Sequence, residues 1–419
     1  MKIIIGAKSV YPFHPFGGVQ KYVYHFGKHL RQQGVEVEIV APLDQGRPRS
    51  EEFEGLKYTL LWPSIFRYLE RPVGWLGVHL FSIALAKYLK NKNFDLLHSF
   101  DMVGYRYAKM KNRKPVIGQI FSDNYLTNPI SSSNPLAALS LISGKTDRIK
   151  DEKIKISPHS NLKTILRFPA QYFLKVKPMS EYLMQAEAIF LEDSSFQKDV
   201  DELFGLSAVK CDVLPVGVDT SFIDSRLENV KMQRHHFGLN DNDIVLLTVN
   251  RLAADKGVDK IITALPDIVK ICPRVKLVVV GDGYQKQEIE SLIDKKSLKD
   301  RVVLLHRVPE NDLYSLYRLS DIYVCAFSYP GSSLTSLEAM ACGLAVITTA
   351  QPWLIDRQNS GLLIKDNRPV TICEAVVSLI QEGQWKQKGR VAREVARRYD
   401  WRVIAESAIR KYDAIIKRS

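Results

Sequence analysis

The sequence predicts an α/β protein of two doubly wound domains, and three observations carry that expectation. Short apolar runs alternate with stretches of helical periodicity along most of the 419 residues, the pattern of a parallel sheet wound with helices. The chain exceeds one ordinary domain, which holds about 100–200 residues. Hydrophobic residues at 46% and charged residues at 25% are ordinary globular values, which excludes a disordered or fibrous chain.

KIIIGA (2–7) opens as a buried strand, and its three isoleucines are too short a run for the core of a signal peptide. A loop ending in Gly17-Gly18 follows, and then Val19, Tyr22, Val23, Phe26 and Leu30 recur at helical spacing. Gly34 closes that helix, VEVEIVAP (35–42) is the next strand, and DLLHSF (95–100) and PVIGQIF (115–121) are further strands. The stretch 124–177 is less regular and basic, an elaboration on a first domain set at 1–216. A second domain, 217–394, offers five strands: IVLLTV (244–249), VKLVVVG (275–281), VVLLH (302–306), DIYVCA (321–326) and LAVITT (344–349). Helical patterns near 256–270, 284–296, 310–319 and 333–342 separate them. A helix pair begins near Val391, and 395–419 forms the terminal helix. Ligands of such sheets bind beyond the carboxyl ends of the strands, so the two domains are expected to face one another across a shared cleft.

The formal net charge is +13, and residues 1–200 carry 28 Lys+Arg against 18 Asp+Glu. A basic first half attracts polyanions or an anionic lipid surface. Nucleic acid is not expected, because no zinc, RNP or basic-zipper pattern accompanies the charge. Basic and aromatic residues are interleaved in 60–81 and 162–177. Those stretches suit helices lying in the head-group plane, and equally helices packed on a domain core. No apolar run is long enough to span a bilayer. Five scattered cysteines without paired or metal spacing fit a reducing compartment. The expected location is the cytoplasm, at the inner face of the membrane.

The sharpest local feature is TVNRLAADKGVDKII (248–262). Arg251 follows a strand directly and Lys256 stands where the next helix begins; two such cations suit a diphosphate, Arg251 as a fork and Lys256 as a point charge. Two surface cations in a loop would read the same. In YPGSSLTSLEAMACGLAVITT (329–349), Gly331, Ser332 and Ser333 lead into a helix whose free amides and positive end can hold phosphate oxygens. Glu338 is a lone charge among Leu337, Ala339, Met340 and Ala341, so it marks either a pocket or a solvated face. The Gly17-Gly18 turn lets backbone approach a phosphate or sugar. GDGYQ (281–285) lacks the dinucleotide spacing and reads as a plain turn. His98 ends its strand on the ligand side, with a core position as the other reading. No Walker loop, nucleophile elbow or metal-binding aspartate pair occurs.

Taken together, these residues resemble the retaining glycosyltransferases of family 4, which have the GT-B fold of two Rossmann-like domains. The opening 11–42, FDLLHSF, the Pro215, Gly217, Val218, Asp219 and Phe222 stretch, NRLAADKG, SLEAMACGLAVITT, SGLLI (360–364) and YDW (399–401) are similar to that family's motifs, in order. The resemblance implies a nucleoside-diphosphate sugar as donor and a glycan or lipid-linked glycan as acceptor, bound by the first domain, with no metal or cofactor. Arg251 and Lys256 would neutralise the departing diphosphate. Amides around Ser333, Leu334 and Thr335 would cap its phosphates, Glu338 would hold the ribose, and Gly17 and Gly18 would close over the sugar. The terminal helices would cross back to the first domain.

Three places depart from the family pattern. An expected glutamate falls on Pro330, followed by Gly331, Ser332 and Ser333; an expected histidine falls on Phe121, before Ser122, Asp123 and Asn124; and Gln351-Pro352-Trp353 shortens a later motif. All three are expected near the donor sugar, in the cleft with His98. An active transferase with unusual sugar preference, in which Asp123 or Asn124 replaces the missing contacts, is the leading expectation. A nucleotide-binding but weakly catalytic partner in a glycan-assembly complex is the alternative.

Overall fold

The computed structural model describes all residues except 15–17, 44–46, 64–69, 122–176, 195–196, 198–199, 201–209, 329–332, 350–351 and 356–358; at 62–63, 70–75 and 352–353 it describes backbone only. The chain divides into two compact units, Met1–Val216 with Trp401–Ser419, and Gly217–Asp400.

The first unit is built on eight strands: β1 (Lys2–Gly6), β2 (Glu36–Leu43), β3 (Ser50–Phe53), β4 (Leu56–Pro63), β5 (Leu96–Phe100), β6 (Val116–Ile120), β7 (Ala188–Leu191) and β8 (Cys211–Val213). They lie in the order β3-β4-β2-β1-β5-β6-β7-β8. All neighbours are parallel except β3 and β4. Ile3, Ile4 and Ile5 are fully buried, because a parallel sheet is covered on both faces and its strands read as unbroken apolar runs. The helix Gly18–Gln32 buries Tyr22, Val23, Phe26 and Leu30, the stripe that the sequence spacing marks.

The antiparallel hairpin β3–β4 is not signalled by the sequence reading, which leaves 60–81 open between a helix in the head-group plane and a helix packed on a domain core. Leu60 and Leu61 instead end β4, and the helix Glu70–Leu89 turns Val78, Phe81, Leu85 and Leu89 into the core. Its apolar face is filled by its own sheet. The other basic-aromatic stretch, 162–176, lies outside the described residues. No helix among the described residues is long and apolar enough to cross a membrane.

The last helix, Trp401–Ile416, belongs to the first unit, so the division falls at Trp401 rather than at 395. Trp401 and Tyr412 are buried there. The Trp401 ring meets Tyr22 edge-on at 4.9 Å, and Gln33 Nε2 donates to the Arg402 carbonyl at 2.8 Å.

The second unit holds β9 (Ile244–Val249), β10 (Val275–Val280), β11 (Val302–Leu305), β12 (Ile322–Cys325), β13 (Ala345–Thr348) and β14 (Gly361–Leu363). Their order is β11-β10-β9-β12-β13-β14, and every pair is parallel. The five strands read from sequence are all present; the sixth, β14, is the GLL within SGLLI, three residues that periodicity cannot identify. Chain progress runs outward from β9 through β10 to β11, then returns to β12 on its other side. The strand order therefore reverses between β9 and β12, and a crevice opens at such a reversal.

Candidate functional site

The exits of β9 and β12 are drawn together by backbone contacts. After β9 the chain makes a tight turn, Ala254–Lys256, and then enters the helix Val258–Ile271 through Gly257. Gly257 has φ 65°, and a Cβ there would stand 1.9 Å from the carbonyl oxygen of Ala326, just past β12. Only glycine allows that approach. Ser328 N–H donates to the Asp255 carbonyl at 3.0 Å, and the Tyr284 hydroxyl accepts from Ala254 N–H at 2.9 Å. The sequence reading treats GDGYQ as a plain turn. In the structure Gly281 has φ 156° and would place a Cβ 1.8 Å from the Asn250 carbonyl, so this glycine sets the spacing of the β9 and β10 exits.

Both sequence-marked cations stand on this turn. Lys256 is about one-fifth exposed, its Nζ 3.2 Å from Asp255 Oδ2 and 4.3 Å above the Phe327 ring. Arg251 is 67% exposed, its Nη2 3.7 Å from Asp255 Oδ1. A strongly exposed guanidinium within reach of one carboxylate keeps donors available for an anion.

The helix Leu334–Ala341 starts at the exit of β12. Ser333 is its N-cap, its Oγ accepting from Ser336 N–H at 3.1 Å. That bond uses the third helical amide and leaves those of Leu334 and Thr335 as the first donors of a positive helix end. Two buried tyrosines fix this end from behind. Tyr323 donates to Thr335 Oγ1 at 2.8 Å; Tyr317 lies 3.3 Å from both the Thr335 carbonyl and Glu338 Oε2. Burial, reinforced by the Glu338 charge, raises the Tyr317 pKa well above its ordinary value, so it remains a donor. Past the helix, Leu344 N–H bonds Ala339 O and Gly343 N–H bonds Met340 O, with Gly343 at φ 84°, which is a Schellman stop.

Some predicted site residues are brought together and others are not. Arg251, Lys256, Ser333, Leu334, Thr335 and Glu338 all lie at the β9/β12 reversal. His98 and Phe121, expected at a cleft, are instead buried in the first unit's core, 0% and 4% exposed. His98 Nδ1 bonds the Tyr412 hydroxyl, and Phe121 stacks on Phe100 at 5.8 Å. The reason is tertiary: β5 and the end of β6 are covered by the helices Gly18–Gln32 and Trp401–Ile416. Gly18 is the exposed first residue of its helix. Gly17, Asp123, Asn124, Pro330 and Gly331 lie outside the described residues.

Sequence reasoning misses several contributors. Asn367 donates to the Ala326 carbonyl and to Ser328 Oγ, each at 3.2 Å, yet nothing in its neighbourhood signals that role. Asp101, at the exit of β5, adopts φ 54°. Its buried Oδ1 has no hydrogen-bond partner, while Oδ2 lies 3.4 Å from Lys8 Nζ. This pair sits where β1 and β5 diverge, the reversal point of the first sheet. Among the described residues no group of three or more His, Cys, Asp or Glu could hold a metal ion.

A parallel six-stranded sheet and an eight-stranded sheet parallel but for β3–β4 define the class: the fold is that of the GT-B glycosyltransferases. The description "Glycosyltransferase Family 4" matches residues 16–222 and "Glycosyl transferases group 1" matches 229–397. The chain belongs to glycosyltransferase family 4. It is 25% identical to an uncharacterised glycosyltransferase of Methanocaldococcus jannaschii over 55% of this chain and 62% of that one. It is 27% identical to the alpha-monoglucosyldiacylglycerol synthase of Streptococcus pneumoniae over 34% of this chain and 33% of that one. Each match thus spans less than two thirds of the relative's own length. Among solved structures it resembles sucrose-phosphate synthase of Thermosynechococcus elongatus, with a TM-score of 0.74 and 16% identity over 100% of both chains.

Proposed function

We propose that this protein is a retaining glycosyltransferase that moves a sugar from a nucleoside-diphosphate sugar to a glycan or lipid-linked glycan without a metal. The observation that carries this reading is the convergence of Arg251, Lys256 and the start of the helix Leu334–Ala341 at the β9/β12 reversal. Lys256 and Arg251 neutralise the departing diphosphate, the Leu334 and Thr335 amides cap its oxygens, and Glu338 accepts hydrogen bonds from the ribose hydroxyls. Two cations and a helix end supply the charge stabilisation of the leaving group. As the sugar–phosphate bond breaks, the new glycosidic bond forms on the same face, and the leaving phosphate takes the acceptor hydroxyl's proton. No carboxylate pair of the glycosidase kind is called for.

The acceptor belongs to the first unit in this reading. Asp123 or Asn124 takes the sugar contacts that Phe121 and Pro330 lack. The basic first half, and a relative whose name carries diacylglycerol, support an acceptor held at an anionic membrane on the cytoplasmic side.

The test incubates the protein with UDP-, GDP- and ADP-linked sugars and a lipid-linked glycan, in chelator, and follows the anomeric configuration of the product by NMR. Retention in the presence of chelator is expected. Inversion, or a strict metal requirement, overturns the mechanism; nucleotide binding without turnover makes the chain a binding partner instead. Co-sedimentation with vesicles should depend on anionic lipid.

A further inference from the structure

Asp255 stands between the two cations of the site and has no part in the function proposed above. One of its oxygens faces Lys256 Nζ at 3.2 Å and the other faces Arg251 Nη2 at 3.7 Å. The carboxylate is 38% exposed, and pairs that open to solvent contribute little to folding stability. Its backbone is nonetheless held firmly. Ser328 N–H donates to its carbonyl at 3.0 Å, Tyr284 accepts from Ala254 N–H beside it, and Gly257 is pressed on Ala326. A rigid turn thus presents a negative charge at the place where the reading above puts a diphosphate.

We infer that Asp255 is a built-in counter-anion, which holds Arg251 and Lys256 in the empty site and competes with the nucleoside diphosphate for them. This rests on the donor-site reading given above. Two effects of opposite sign follow from one charge. The cations are kept in place, at the site's own carboxylate, before the donor arrives. The diphosphate product, which must displace or tolerate a like charge, is held less tightly than two cations alone would hold it, and it leaves sooner. Asp255 touches the two cations and is a positioning residue.

The test measures binding of UDP, GDP and ADP to the wild type, Asp255→Asn, Asp255→Glu and Lys256→Ala by isothermal titration, with dissociation rates by stopped flow. Asp255→Asn should bind the preferred nucleotide on the order of tenfold more tightly, the effect of one unit charge a few ångströms from a diphosphate at a partly solvated site. The gain should appear mainly as slower dissociation, and it should shrink as salt rises from about 0.05 to 0.5 M. Asp255→Glu, which keeps the charge, should remain near the wild type. Unchanged or weaker binding by Asp255→Asn, with wild-type binding lost in Lys256→Ala, overturns the counter-anion role alone. No binding by the wild type, or no effect of Lys256→Ala, overturns the donor-site reading and the inference with it.

Discussion

The hydroxyl of Tyr317 lies 3.3 Å from Glu338 Oε2. Tyr317 is fully buried on the helix Glu310–Leu319, and Glu338 is partly buried on the helix Leu334–Ala341. A core residue thereby holds a carboxylate of the helix that starts at the β12 exit. Thr335, bonded by both Tyr317 and Tyr323, ties the same helix end to the sheet.

Tyr317→Phe should lower affinity for the preferred nucleoside diphosphate by about fivefold, the value of roughly one hydrogen bond. If Glu338 holds the ribose, the variant should lose discrimination between that nucleotide and its 2′-deoxy form, measured by titration. An equal loss for both forms would mean that Tyr317 acts through the helix end alone.

Lys256→Ala should weaken nucleoside-diphosphate binding by about 10- to 150-fold, the range for a hydrogen bond to a charged group. Arg251→Ala should cost less, about threefold, because its guanidinium is 67% exposed and screened. Titration of UDP, GDP, ADP and CMP into both variants checks the order. A larger loss at Arg251 would place the diphosphate further out than the helix end.

Gly257→Ala should destabilise the second unit by about 2–4 kcal/mol. Gly238 makes the control. It has φ 69° but nothing within 4 Å of a built Cβ, so Gly238→Ala should cost only about 1 kcal/mol. Urea midpoints of the two variants isolate the contact with Ala326 from the backbone conformation the two glycines share. Equal costs would show that the turn can withdraw from β12.

The buried imidazole of His98 gives the first unit an acid-sensitive core. Desolvation lowers its pKa to about 3, against about 6.5 in an unfolded chain. Below pH 6.5 the unfolded chain takes up a proton that the native state refuses. Stability from this group is therefore complete above that pH and falls toward pH 3 by roughly 1 kcal/mol per pH unit. Urea midpoints of the wild type and His98→Gln should converge as pH falls from 7.5 to 4.5. Parallel curves would count against the assignment.

The residues at the β9/β12 reversal are local in sequence, and this is why the sequence marks them. Arg251 and Lys256 share one turn, and Ser333 through Glu338 share one cap and helix, so a strand exit followed by a helix start was enough to mark them. His98, left open between cleft and core, and Phe121, expected at the cleft, are core residues, because a strand end says nothing of what covers it. Their cover is Tyr22 on one helix and Trp401 and Tyr412 on another, some three hundred residues away in the case of Tyr412. Asn367 and Tyr317 act through hydrogen bonds to groups distant in sequence, which leave no periodic trace.

The sequence by itself determined two wound parallel sheets, the stripe of the first helix, and the cations and helix cap that follow β9 and β12. Apolar periodicity, glycine placement and capping are properties of neighbours along the chain. Tertiary structure alone decided which strands meet. It also pressed Gly257 against Ala326, and set the Asp400 carboxylate 3.1 Å from Thr220 N–H while Trp401, one residue on, packs in the other unit. Those choices depend on burying side chains far apart in sequence against one another, and on satisfying the buried groups that result.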